Sequence, residues 1–237
     1  MMQNELSTKQ FFVTPAHPCS YLPRRQANTL FLDPRETIHP SSYQALTELG
    51  FRRSGSHLYR PHCKSCKACI PARIPVESFM PRRSQRRVAS RNADLTIKTE
   101  TASYNRRYYD LYADYIRVRH MNGDMYPPSI DQFRSFLLSQ WSDTVFVCTY
   151  LDKKLLSVAV TDRQERGISA IYTFFDPTEE RRSLGVFSIL TQIELCQMQG
   201  LPYLYLGYWI RDSDKMRYKT DYRPVELFVN GAWVTFK

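Results

Sequence analysis

Nothing in the 237 residues approaches the ~18 consecutive apolar residues that a membrane-crossing helix requires. Residues 1–18 also lack the apolar run of a secretory signal. Six cysteines in a chain of this length do not make a disulfide framework. These absences predict a cytoplasmic protein with no membrane partner. Acid is scarce at one end. Residues 1–100 hold 16 Lys and Arg against 7 Asp and Glu, whereas residues 101–237 hold 17 against 16. No acid stands between Glu77 and Asp94, and Arg82, Arg83, Arg86, Arg87 and Arg91 fall inside that gap. A basic excess this uneven is either a solvated face or a docking surface for a polyanion such as nucleic acid, and the clustering favours the polyanion.

What is present suits a folded enzyme-sized core. Hydrophobic residues make up 43% and aromatics 14%, with 16 Tyr that can pack, stack on bases or carry a hydroxyl to a ligand. Thr29–Leu32 is a short buried strand closed by Asp33-Pro34, and residues 41–50 are a helix opened by serine and stopped by Gly50. Cys63, Cys66 and Cys69 then recur every three residues, with Cys19 as an outlying fourth. That spacing fits metal ligands or packed thiols about equally, because zinc and iron–sulfur sites want four ligands and no further C-x-x-C stands elsewhere in the chain. On a helix, Arg83, Arg87 and Arg91 share one face and Arg82 and Arg86 its neighbour; such guanidinium forks match phosphates and carboxylates.

From Asp94 the pattern is regular. A strand at 95–99 is followed by helices at 104–120 and 129–140, the first ended by Asn122-Gly123. Strands at 144–151, 155–161 and 168–175 come next, then a helix from Ser183 to Met198 and a strand at 203–208. A short helical piece near 212–220 leads to a hairpin of 225–229 and 232–236 turned by Asn230-Gly231. This order predicts an α+β protein. Residues 94–237 are similar in order to the N-acetyltransferase-like (GNAT) fold, a mixed sheet with flanking helices. A smaller basic, Cys-containing region at 1–93 precedes it. That likeness implies that strands 168–175 and 203–208 splay and that the donor sits in their gap beside the helix N-terminus at Ser183 and Gly185. The GNAT phosphate loop ends in a small residue, whereas this chain has Phe187, which disfavours coenzyme A.

Long ungapped stretches then resemble one family. They include Tyr59-Arg60-Pro61-His62-Cys63, Ser84-Gln85-Arg86-Arg87, Arg91-Asn92, residues 172–177, Ser183-Leu184-Gly185, residues 203–210 and Lys215-Met216-Arg217-Tyr218-Lys219. The chain is similar over nearly its whole length to the bacterial aspartate/glutamate leucyltransferases, relatives of the arginyl-tRNA–protein transferases. The resemblance implies transfer of leucine from leucyl-tRNA to proteins with an N-terminal Asp or Glu, which creates an N-degron. It implies no cofactor, because an aminoacyl ester is already activated. Arginyl relatives carry Cys-x-Tyr-Cys near the N-terminus and are associated with metal there; Cys19-Ser20-Tyr21-Leu22 departs from that pattern.

Within that frame, Arg82, Arg83, Arg86, Arg87 and Asn92 are expected to hold the acidic N-terminus or the tRNA. Ser183, Gly185, Lys215, Tyr218 and Lys219 are expected along the path of the tRNA 3′ end. Asp176, with Glu226 behind it, is a candidate to orient or deprotonate the amine, and Tyr172 and Tyr208 to donate to an oxyanion. The competing readings are an arginyl-tRNA-dependent enzyme, a coenzyme A-dependent N-acetyltransferase and a zinc module that binds nucleic acid.

Overall fold

The computed structural model describes residues 6, 8–121 and 123–236, so Asn122 of the expected helix stop lies outside them. Short strands open the chain: β1 (Phe11–Val13), β2 (His17–Pro18), β3 (Gln26–Ala27) and β4 (Thr29–Leu32). Helix α1 (Pro40–Glu48) follows, then the hairpin of β5 (Arg52–Ser54) and β6 (His57–Pro61). Strands β1, β4, β6 and β5 form one antiparallel sheet in that order. Its core is Leu32, Tyr43, Leu46, Phe51 and Leu58. Helix α1 starts on Pro40, whose missing N–H costs nothing at a first helical position. It stops at Gly50, which has φ +83° and would drive a Cβ to 2.6 Å from the Pro71 ring. Only glycine meets both demands there.

The rest is built on one large sheet. Its elements are β7 (Ile70–Pro75), α2 (Arg83–Arg91), β8 (Thr96–Thr101), α3 (Arg106–Arg119) and α4 (Ile130–Leu137), then β9 (Thr144–Leu151), β10 (Lys154–Gln164) and β11 (Gly167–Phe175). After these come α5 (Leu184–Met198), β12 (Tyr203–Trp209), β13 (Val225–Val229) and β14 (Ala232–Phe236). A 3₁₀ turn at Arg217–Asp221 takes the place of the expected short helix. The sheet order is β14-β13-β7-β12-β11-β10-β9-β8. The mixed α+β architecture follows the sequence pattern from β8 onward, and the terminal hairpin spans the residues that Asn230-Gly231 predicts, with Asn230 at φ +52° and Gly231 at +82°.

Strand β7 is the element that periodicity did not announce. It precedes residue 94, yet it pairs with β12 on one side and β13 on the other. Pro71 and Pro75 disguise it, since proline is depleted from paired strands. The segment before residue 94 and the one after it therefore share a sheet.

Two cores cover this sheet. Tyr108, Tyr112, Ile116, Phe133 and Leu137 of α3 and α4 pack on Phe146, Val158, Val160 and Phe174. Ile189, Ile193 and Cys196 of α5 pack on Ile74, Ile168, Leu204 and Leu206. Alternation along β12 sends Leu204 and Leu206 to α5 and Tyr205 the other way, where its hydroxyl is bonded by Gln44 and itself donates to Glu48 of α1.

Candidate active site

The two central strands part. Parallel pairing of β11 and β12 is confined to Gly167–Ser169 against Tyr203–Tyr205, although β11 runs on to Phe175 and β12 to Trp209. A register shift in each strand's other ladder opens the gap: between Val160 and Thr161 opposite β11, and between Tyr205 and Gly207 in β12. Such bulges bend a strand and expose backbone groups, and they recur beside active sites.

Arg52 occupies the gap. Its Nη1 donates to the Tyr205 carbonyl at 3.4 Å and its Nη2 to the Ala170 carbonyl at 2.5 Å, so one guanidinium ties the ends that the parting leaves unpaired. Gly207, at φ +79°, lets it lie close: a Cβ there would meet Arg52 Nε at 3.4 Å. Arg52 was not among the expected site residues. Its role comes from a contact over 153 positions of sequence, which no local pattern reveals.

Arg52 stands at the wall of a cavity of about 1300 Å³. Drug-sized ligands occupy roughly 300–1,000 Å³, so this space suits more than one small substrate. Of the candidate residues, Tyr172, Tyr208, Arg82, Ser183, Gly185, Lys215, Tyr218 and Lys219 line it, and so do Arg119, His120, Gln192 and Tyr59. Its cations outnumber its two lining acids, Asp124 and Asp221. Gln192 Nε2 donates to Ser188, while its buried Oε1 has no partner and is available to an N–H from a ligand.

At the near end of β11 the Tyr172 hydroxyl stands 3.4 Å from His120 Nε2 and 3.5 Å from Met125 Sδ. Burial raises the Tyr172 phenol far above its ordinary range. Burial, then Lys215 and Arg119, hold the His120 imidazole below its usual range, so it is neutral at pH 7. Ser183 begins α5 in the left-handed region, φ +53°, and Gly185 packs on Phe175. Lys219 is 3% exposed and its Nζ donates to Met216 Sδ at 3.4 Å. Burial, then Arg52, pull its pKa down to about 7.

Other expected residues stand elsewhere. Asp176 does not line the cavity; its carboxylate pairs with Lys154 at 2.8 Å and receives the Thr178 N–H and hydroxyl, capping the turn before α5. Glu226 pairs with Arg73 at 2.6 Å. The Tyr208 hydroxyl lines the cavity but is already donated to the Gly50 and Tyr59 carbonyls, at 2.9 and 3.3 Å. Of the clustered arginines expected to bind substrate, Arg82, just before α2, lines the cavity and pairs with Asp221 at 3.3 Å; Arg83, Arg86 and Arg87 on α2 face solvent. Asn92 is buried and donates to Val88 and Arg182, locking α2 to the loop before α5. Phe187 is buried and does not line the cavity.

Cys19, Cys63, Cys66 and Cys69 converge behind Tyr208. Burial first, then the other three sulfurs, push the Cys69 thiol up to about 12. The Leu22 N–H donates to Cys19 and Arg25 to Cys66, while the Cys63 thiol faces the Asn28 carbonyl. Among the described residues no three His, Cys, Asp or Glu stand as a metal-holding group, and as arranged the thiols pack against Leu22 and Ile210. No helix among the described residues is long and apolar enough to cross a membrane.

The family models described as arginine-tRNA-protein transferase, N terminus and C terminus, match residues 17–87 and 107–229. A protein from Alcanivorax borkumensis named aspartate/glutamate leucyltransferase is 58% identical over 97% of this chain and 95% of its own. Proteins of the same name from Hahella chejuensis and Pseudomonas paraeruginosa are 52% and 55% identical, over 98% and 97% of this chain and 99% and 98% of theirs. A solved structure of L-PGS from Bacillus licheniformis aligns with 88% of this chain and 71% of that one, at 11% identity and TM-score 0.48. The chain belongs to the arginine-tRNA-protein transferase family, on the side of its members named aspartate/glutamate leucyltransferase.

Proposed function

We propose that this chain transfers leucine from leucyl-tRNA to the α-amino group of proteins beginning with Asp or Glu. The observation that supports it is a large cation-lined cavity in the strand gap of a chain that matches the leucyltransferases nearly end to end. The donor's 3′ end is single-stranded, and Tyr218 and Tyr59 offer rings at the cavity wall on which a terminal base can stack. Ser183 and Gly185 open α5 there, where first-turn N–H groups suit a phosphate. The outward arginines Arg83, Arg86 and Arg87 suit the phosphates of the tRNA body.

In the reaction the neutral amine attacks the ester carbonyl, a C–N bond forms and the C–O bond to the ribose breaks. The amine loses a proton and the departing ribose oxygen gains one. An α-amine has a pKa near ~8, so it needs little help to be neutral at pH 7. In this scheme Tyr172, whose phenol stays protonated, donates to the oxygen of the tetrahedral intermediate, and neutral His120, 3.4 Å from its hydroxyl, acts as a proton acceptor. Tyr208 shapes the gap, and Asp176 holds the loop that presents α5. Holding two substrates in line supplies most of the acceleration in this scheme.

The test is purified protein with labelled leucyl-tRNA or arginyl-tRNA and a peptide beginning with Asp. Transfer from the leucyl donor that ribonuclease abolishes is the expected result. Transfer from a ribonuclease-treated donor, or from acetyl coenzyme A alone, would overturn it.

A further inference from the structure

Arg52 and Lys219 are two cations withdrawn from water, 7% and 3% exposed. Among the described residues neither has a carboxylate within ion-pair distance. Arg52 bonds two backbone carbonyls, and Lys219 meets a thioether and, at 4.6 Å, the face of the Tyr218 ring. The lining acids are engaged elsewhere, Asp221 with Arg82 and Asp124 with Ser20. Each cation lies close enough to feel the other's field, and both border the same cavity. Burying charge without a counter-ion is costly, and such a pair persists where a ligand completes it. Two of the five guanidinium donors of Arg52 go to the strand carbonyls, which fixes its plane and leaves donors for an incoming oxygen.

We propose that Arg52 and Lys219 form the subsite for the side-chain carboxylate of the acceptor's first residue, an inference that rests on the transfer activity proposed above. Both an acidic side chain and a nucleic-acid phosphate are anions, but they differ in shape. A carboxylate ends its chain and can enter a recess between two strands. A phosphodiester carries a ribose on each side and suits the open mouth, where Lys215 and Arg119 are exposed. The rigid fork of Arg52 sets orientation. The flexible stem of Lys219 takes up the one-methylene difference between Asp and Glu. An amide in the same recess would leave both cations unpaired, so Asn and Gln are rejected by the site itself.

Arg52→Gln and Lys219→Met are measured with leucyl-tRNA and peptides that differ only in beginning with Asp or Asn. Lys219→Met removes a buried charge without loss of volume, so it is expected to fold and to melt above the wild type. Each variant is expected to lower kcat/KM for the Asp peptide by about tenfold or more and to shrink the Asp-to-Asn preference by a similar factor, a loss much larger than any on leucyl-tRNA affinity. An unchanged preference overturns the subsite, as does a loss that falls on tRNA affinity instead. If Arg52→Gln does not fold, the Lys219→Met result decides. Wild-type protein that transfers nothing to either peptide overturns the activity, whereas active wild type with unaltered preference in the variants overturns the subsite alone.

Discussion

Lys219 is a buried amine in the cavity wall, and the consequence of its burial can be followed through pH. An ordinary lysine titrates near 10.5, and here burial and then Arg52 bring it to about 7. Between those values the unfolded chain binds more protons than the folded one. Stability from this group therefore rises with pH from about 7 upward, and its penalty is fully present below pH 7. Lys219→Met should raise the melting temperature clearly at pH 6 and much less at pH 9, read by thermal unfolding at the two values. Tyr172 makes a second prediction at this scale. Loss of one oxyanion donor costs about 2–4 kcal/mol of transition-state binding in well-studied enzymes. Tyr172→Phe should lower kcat by at least about tenfold with little change in KM for either substrate, measured by steady-state transfer kinetics.

Helix α2 offers the clearest prediction among the elements. Arg83 and Arg87 are exposed, and no salt bridge is formed by either among the described residues, so their charge is available to phosphate. Arg83→Ala and Arg87→Ala should each weaken leucyl-tRNA binding and reduce the slope of log affinity against log salt by about 1. Filter binding across a salt series measures both effects, while the Asp-to-Asn preference of the peptide stays as in wild type. Elements also show what was legible in the chain. Strong periodicity and turn chemistry announced α3, β9, α5, β12 and the β13–β14 hairpin, because those signals are local. At α4 the start is a plain N-cap, the Gln132 N–H donating to the Ser129 hydroxyl at 3.1 Å. Strand β7 escaped because Pro71 and Pro75 argue against a paired strand. The site divided the same way. Tyr172, Lys219 and Gly185 lie on the unit that the pattern pointed to. Arg52 and His120 reach the cavity only through tertiary packing, from β5 and the end of α3.

For the whole molecule, the sheet order sets a limit on dissection. Removing β7 would leave β12 and β13 with open edges facing each other, and would take Ile74 and its apolar contact out of the α5 core. A fragment of residues 94–237 should therefore fail to give a cooperative thermal transition, whereas adding residues 51–93 in trans should restore soluble protein. Co-purification and calorimetry of the two fragments test this. The basic excess belongs to the same scale: most of it lies before residue 100, so in the proposed reaction the first region would bring tRNA to a cavity that residues of both regions line.

Because β7 is made early and its neighbours β12 and β13 are made late, the ribosome must finish about 130 further residues before the strand finds its first partner. Until then residues 70–75 are an apolar segment in waiting, exposed to chaperones and to mispairing. The cavity cannot be walled in a nascent chain that stops before β12, because Leu206, Gly207 and Tyr208 line it. Under the proposed function, an interrupted translation product would carry the basic residues without the cavity, which ties activity to synthesis through β12.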